Sequence, residues 1–132
     1  MTAIADTRLL LTLEFPPTSE AKTRTKDFFE KELRGGLLVP SIVLAEFIKY
    51  AGARIGEDAA KNRLRLLKER GMEVVTIDEA CGLAAGSLLL SNQNVPIADA
   101  LIASFVKTGL ADYVLTDDPH YKTLNTKTKW IP

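Results

Sequence analysis

The sequence predicts an α/β fold in which a central, mainly parallel sheet is flanked by helices in a three-layer sandwich. Short apolar runs alternate with longer amphipathic stretches, and no internal repeat or low-complexity segment interrupts the alternation. Strands separated by helices pair in parallel and need cover on both faces. The 132 residues suffice for one core, so residues 1–132 are read as a single domain.

The elements follow in order. "TAIAD" reads as a short first strand leading into the apolar "LLLTL", after which "FPPTSE" breaks the chain and offers Ser19 as a helix cap. Residues 20–34 form a charged helix carrying Phe28, Phe29 and Leu33, ended by Gly35 and Gly36. "LLVP" is a second strand, and Ser41 caps a helix over "IVLAEFIKYAGARIG". Residues 57–70 form an amphipathic helix with Leu64 and Leu67 inward. "MEVVTI" is a third strand, and a helix runs from Asp78 to about Leu90. Pro96 opens a helix across "IADALIASFVKTG", with Gly109 beyond its end. "DYVLT" is a fourth strand, "PHYKTL" a short helix and "KWIP" a final strand.

Composition narrows the classes. With 46% hydrophobic and 26% charged residues, the chain is an ordinary globular protein rather than a disordered or fibrous one. The nearly uncharged region 80–106 is broken by Gly82, Gly86, "SNQN" and Pro96, so no membrane span is expected. The N-terminus lacks the basic start, apolar block and cleavage site of a secretory signal, which predicts a cytoplasmic location. Cys81 is the single cysteine and is expected to pack within a helix.

The chemistry lies in the acids. Asp6 falls at the carboxyl end of the first strand, and Asp117 and Asp118 at that of the fourth, where ligands of parallel sheets collect. If those strands are neighbours, the carboxylates share one rim. Asp99 is the only charged residue between Glu79 and Lys107 and sits among Ile97, Ala98, Leu101 and Ile102. A carboxylate in such surroundings wants a cation, a donor or a proton. Glu46 stands similarly alone in "SIVLAEFI".

Brought together, these acids would bind a hard divalent cation such as Mg²⁺ or Mn²⁺, which prefers oxygen ligands and keeps coordination sites for phosphate. Such a cation activates water and neutralises a scissile phosphate, so the protein need supply no nucleophile. It also relieves the repulsion between Asp117 and Asp118. Each acid has a plainer reading: Asp118 as the cap of a helix with Pro119 in its first position, Asp99 as a partner of a helix dipole, Glu46 as an i,i+3 partner of Lys49. The joint placement of all of them at one rim favours the metal.

Four segments carry a likeness to a known family: "AIADTRLLLTL", "VPSIVLAEF", "PIADALIASFVKTG" and "YVLTDDPHYKTL". In this order and spacing the sequence resembles the PIN-domain ribonucleases, particularly the VapC toxins of type II toxin–antitoxin pairs. The resemblance implies a PIN-like sandwich in which Asp6, Glu46, Asp99 and Asp118 gather around Mg²⁺ or Mn²⁺. Asp6, Asp99 and Asp118 would hold the metal, and Glu46 would bind it or position water. Asp117 occupies the variable place between Thr116 and Asp118, where it would join the metal or orient water. Thr7 and Thr116 would donate hydrogen bonds that orient the carboxylates. The resemblance also implies a homodimer, a cognate antitoxin whose tail blocks the acidic pocket, and a structured RNA substrate such as tRNA or rRNA.

Two positions depart from the family pattern. Arg8 stands where a small polar residue is common, and three roles are open to it: contacting phosphate, pairing with an acid or crowding the pocket. Tyr121 replaces the usual Phe, a change expected to be harmless. His120 matches the family preference, yet a lone histidine after Pro119 is more often structural or exposed and is not assigned as a general base.

The formal net charge of zero argues, by itself, against a generic nucleic-acid binder. Setting the five site acids aside leaves a surplus of five positive charges among the 17 basic and 17 acidic residues. "KNRLRLLKER" is the densest basic stretch, making Arg63 and Arg65 candidate RNA contacts, although charge runs are usually solvated faces.

The sequence thus points to a metal-dependent endoribonuclease of a toxin–antitoxin pair. An RNA-processing PIN nuclease is the nearest alternative, and a neighbouring small antitoxin reading frame separates the two. A catalytically silent PIN binding module is a third reading, favoured only by Arg8. A signalling receiver domain is disfavoured because the first strand ends in Asp6 alone and "EVVTIDEA" runs directly into a helix, and an aspartyl phosphatase because "DTR" lacks a second Asp.

Overall fold

A computed structural model describes residues 1–132. Five strands, β1 (Ala3–Ala5), β2 (Leu37–Pro40), β3 (Glu73–Val75), β4 (Tyr113–Leu115) and β5 (Thr128–Lys129), form one sheet in the order β3-β2-β1-β4-β5. Every pairing is parallel, with Ala3 opposite Leu37 on one side and Tyr113 on the other. All three residues of β1 are fully buried. Because successive strand residues point to opposite faces, unbroken burial requires cover on both, and the helices supply it.

Seven helices link the strands: α1 (Thr7–Glu14), α2 (Ser19–Gly35), α3 (Ser41–Ile55), α4 (Glu57–Glu69), α5 (Glu79–Ser91), α6 (Ile97–Lys107) and α7 (His120–Thr123). Helices α1, α2, α3 and α4 pack among themselves, and α5 pairs with α6, which also meets β4 and α7. The core joins Ile4, Leu9, Leu10, Phe29, Phe47, Ile102, Phe105 and Leu115. Cys81 is buried in α5, as expected.

"LLLTL", to which the sequence assigned no element, forms helix α1, because Leu9 and Leu10 fall on one inward face with Leu13 packed beside them. Three local readings need correction. Thr18, not Ser19, caps α2, its hydroxyl accepting the Ala21 N–H at 3.0 Å. Helix α3 starts directly from Pro40, with no side-chain cap from Ser41. The last strand is Thr128–Lys129 rather than residues 129–132. Lys129 anchors it there, with Nζ 2.6 Å from Glu32 Oε1, while the Tyr113 hydroxyl donates to Glu32 Oε2 at 2.6 Å.

The topology fixes where a ligand can bind. The chain enters at the central strand β1, builds outward through β2 and β3, then crosses to β4 and β5 on the other side. The connections leaving β1 and β4 diverge and open a crevice beyond their carboxyl ends. Asp6 follows β1, and Asp117 and Asp118 follow β4 closely, so all three stand at that crevice.

Candidate active site

Asp6 is the N-cap of α1, its Oδ1 accepting the Arg8 N–H at 2.9 Å. Its Oδ2 accepts from the Thr116 hydroxyl at 3.0 Å. The same Thr116 oxygen accepts the Asp118 N–H at 3.0 Å, so one buried hydroxyl sets the positions of two acids from different strands. Asp118 Oδ1 in turn accepts the His120 N–H at 2.9 Å. Asp118 therefore closes a turn just ahead of the short helix, whose N-cap is Pro119 and not Asp118, and the plainer capping reading needs correction.

Asp99 enters from the first turn of α6, its side chain only 13% exposed. Burial and then the charges of Asp118 and Asp6 push its pKa from 3.8 up to about 6. Burial likewise raises the Asp6 pKa, against the donors that hold its carboxylate. Thr116 bridges Asp6 to Asp118 and His120 Nδ1 lies between Asp118 and Asp99, so the structure gathers Asp6, Asp99 and Asp118.

Glu46 lies at the edge of this group. The Thr7 hydroxyl donates to Glu46 Oε1 at 2.6 Å, linking the start of α1 to α3. No ion pair joins Glu46 to Lys49, whose ammonium instead lies 5.3 Å from the Tyr50 ring centre. Thr7 and Thr116 therefore donate to two of the acids, Glu46 and Asp6. Asp117 is engaged otherwise, accepting from Arg8 Nε. Arg8 thus pairs with an acid, one of the three roles open to it.

Two further residues, left out of the candidate set by the sequence, lie against the acids. His120 Nδ1 lies 2.9 Å from Asp118 Oδ1 and 3.0 Å from Asp99 Oδ2. Tyr121 is fully buried, and its hydroxyl adjoins Asp6 closely enough to affect that carboxyl. The likeness of "TDDPHY" to the family pattern was the only sequence signal for either.

The cluster passes a simple test of fit for a cation. Ligand atoms of Asp99, Asp118 and His120 all lie within 4.8 Å of one another. Asp99 Oδ2, His120 Nδ1 and the Tyr121 hydroxyl are buried without an aligned hydrogen-bond partner. Buried polar atoms are rarely left so, and three of them beside clustered carboxylates suit a hard cation with its waters. Asp6 retains lone pairs for a ligand despite its two donors.

The basic helix α4 is less available than its sequence suggests. Arg63 pairs with Glu14 at 3.1 Å, and Arg65 with Glu69 and Asn62 on its own helix.

A PIN domain family model matches residues 4–126, and the chain belongs to that family. Its fold is similar to VapBC2 from Rickettsia felis bound to a promoter DNA fragment, with 18% identity, a TM-score of 0.79 and full coverage of both chains. It is similar to DNA-bound VapBC from Salmonella typhimurium, with 15% identity and a TM-score of 0.69 over 100% of this chain and 99% of that one. It is also similar to VapC20 of Mycobacterium tuberculosis, described as a sarcin–ricin loop cleaving toxin, with 12% identity and a TM-score of 0.73 over 95% of this chain and 96% of that one. At such identities the likeness is one of fold. No curated protein sequence matches the chain.

Proposed function

We propose that the protein is a metal-dependent endoribonuclease that hydrolyses RNA phosphodiester bonds as the toxin of a toxin–antitoxin pair. One observation carries the reading: Thr116 ties Asp6 to Asp118 beyond the ends of β1 and β4, and Asp99, Asp118 and His120 bring ligand atoms within 4.8 Å of one another. Bound Mg²⁺ or Mn²⁺ would neutralise the scissile phosphate and make water a better nucleophile.

The chain's own residues then have distinct tasks. Asp6, Asp99 and Asp118 hold the cation, with His120 as a nitrogen donor at the same place. Thr116 fixes Asp6 and Asp118 relative to each other before any ligand arrives, a form of preorganisation. Glu46, aimed by Thr7, orients the attacking water or takes its proton. Asp117 acts through Arg8 rather than on the metal.

The antitoxin partner is supported by the fold's similarity to chains from toxin–antitoxin complexes. A tRNA or rRNA substrate, a homodimer and a cytoplasmic location accompany this reading; no helix is long and apolar enough to cross a membrane. The pairing of Arg8 with the exposed Asp117, rather than with Asp6, Asp99 or Asp118, supports the ribonuclease reading over a silent binding module.

The test is cleavage of a mixed tRNA and rRNA pool with Mg²⁺ or Mn²⁺. Cleavage by the wild type that is lost both in EDTA and in Asp99→Asn supports the reading. Full cleavage by Asp99→Asn overturns the site assignment.

A further inference from the structure

Helices α1 and α3 leave the acidic cluster side by side, joined at its edge by the Thr7–Glu46 hydrogen bond. Arg8, Leu11 and Thr12 follow one another at i, i+3 and i+4 and so share a face of α1, and Phe15 stands at its C-cap. Glu46, Tyr50 and Arg54 share a face of α3 at i, i+4 and i+8. Between the two helices lies a shallow cavity of about 480 Å³ lined by Leu11, Thr12, Phe15, Tyr50 and Arg54.

Its lining combines aromatic rings with a cation. The Tyr50 side chain is half exposed and forms one wall. The Arg54 guanidinium stacks 3.9 Å from the Phe15 ring centre. Unlike Arg63, Arg65 and Arg70, it pairs with no carboxylate. Stacking occupies the guanidinium face and leaves its in-plane N–H donors free for a phosphate. Lys49 adds a second cation over the Tyr50 ring, and no acid lines the cavity. At the end nearest the acids, Asp117 holds Arg8 by Nε, so its terminal nitrogens remain free to donate.

Resting on the ribonuclease reading above, we infer that this strip binds a single-stranded segment of the RNA beside the scissile bond, with a base stacked on Tyr50 and phosphates on Arg54 and Arg8. The helical rise places Arg54 about 12 Å along α3 from Glu46. That length spans a few stacked bases, which rise about 3.4 Å each along a strand. Base stacking on an aromatic ring tolerates any sequence, so the strip supplies affinity and direction, and sequence choice is made elsewhere.

The experiment measures fluorescence anisotropy of labelled oligouridylate with the full chain in EDTA, where binding is read without cleavage, across a salt series. Tyr50→Ala is expected to weaken binding roughly tenfold, with Tyr50→Phe restoring it. Arg54→Gln is expected to weaken binding and to reduce the salt slope by about one. In the cleavage assay both losses enter KM rather than kcat. Wild-type binding with unaltered affinity and slope in Tyr50→Ala and Arg54→Gln overturns the inference while leaving the ribonuclease reading in place. Absence of RNA binding by the wild type, in EDTA and with Mg²⁺ alike, overturns both. Conversion of a dimer to a monomer by these variants, without loss of RNA binding, assigns the strip to a second copy of the chain.

Discussion

His120 Nδ1 sits 3.0 Å from Asp99 Oδ2, yet both atoms are buried without an aligned hydrogen bond. The same nitrogen lies 2.9 Å from Asp118 Oδ1, so three ligand atoms face one another within 4.8 Å, an arrangement that suits a shared cation. Divalent metal is therefore expected to stabilise the fold. At about a hundredfold excess over Kd the gain is about 2.7 kcal/mol, roughly a 10 °C rise in Tm for a chain of this length. Thermal denaturation with and without Mn²⁺ checks it, and Asp99→Asn should abolish most of the rise.

The same site gives a pH dependence in the metal-free protein. The Asp99 carboxyl titrates at about 6 in the fold against 3.8 ordinarily, because burial and the charges of Asp118 and Asp6 oppose its ionisation. The folded state thus binds this proton more tightly than the unfolded one. Its stabilising contribution is complete below pH 3.8 and is lost as pH rises through about 6. Urea denaturation in EDTA should show the wild type losing stability relative to Asp99→Asn between about pH 4 and neutrality. A difference that grows in the opposite direction contradicts the burial of Asp99.

Thr116 donates to Asp6 and accepts from Asp118 while wholly buried, so its removal disturbs two acids at once. Thr116→Val is expected to cost about 1–3 kcal/mol of stability through the unsatisfied partners. Activity should fall about 10- to 100-fold, the range seen when groups that orient metal ligands are lost. Thr116→Ser keeps the hydroxyl and should recover most of both, as read by urea denaturation and kcat.

The Tyr121 hydroxyl is buried beside Asp6 without an aligned partner. No hydrogen bond of good geometry is lost with it. Tyr121→Phe is therefore expected to leave metal-free stability unchanged or raise it by about 1 kcal/mol. A large loss of stability by the same assay would mean that the hydroxyl is bonded in solution.

Much of the site was legible because burial of charge is conspicuous in sequence. Asp99 and Glu46 each stand alone in an apolar stretch, and Asp6, Asp117 and Asp118 end strand-like runs. The alternation of elements likewise gave the parallel sheet. What could not be read depends on partners far apart in the chain. The pairing of Arg63 with Glu14 crosses from α4 to α1, so "KNRLRLLKER" looked freer than it is. Asp117 and Arg8 are 109 residues apart, and neither alone announces the other. "LLLTL" follows a strand directly, and so short an apolar run has no decisive period; tertiary burial of Leu9 and Leu10 made it helical. His120 is a lone histidine by sequence and acquires its meaning only when α6 brings Asp99 to it.

In the proposed reaction, water hydrolyses the phosphodiester at a carboxylate-held metal. The most direct measurement is mass spectrometry of RNA fragments produced with Mn²⁺ in isotopically labelled water. The account predicts linear phosphate ends carrying the labelled oxygen, and no fragments from Asp99→Asn. Cyclic phosphate ends without label, formed equally in EDTA, would show attack by the neighbouring ribose hydroxyl and contradict it.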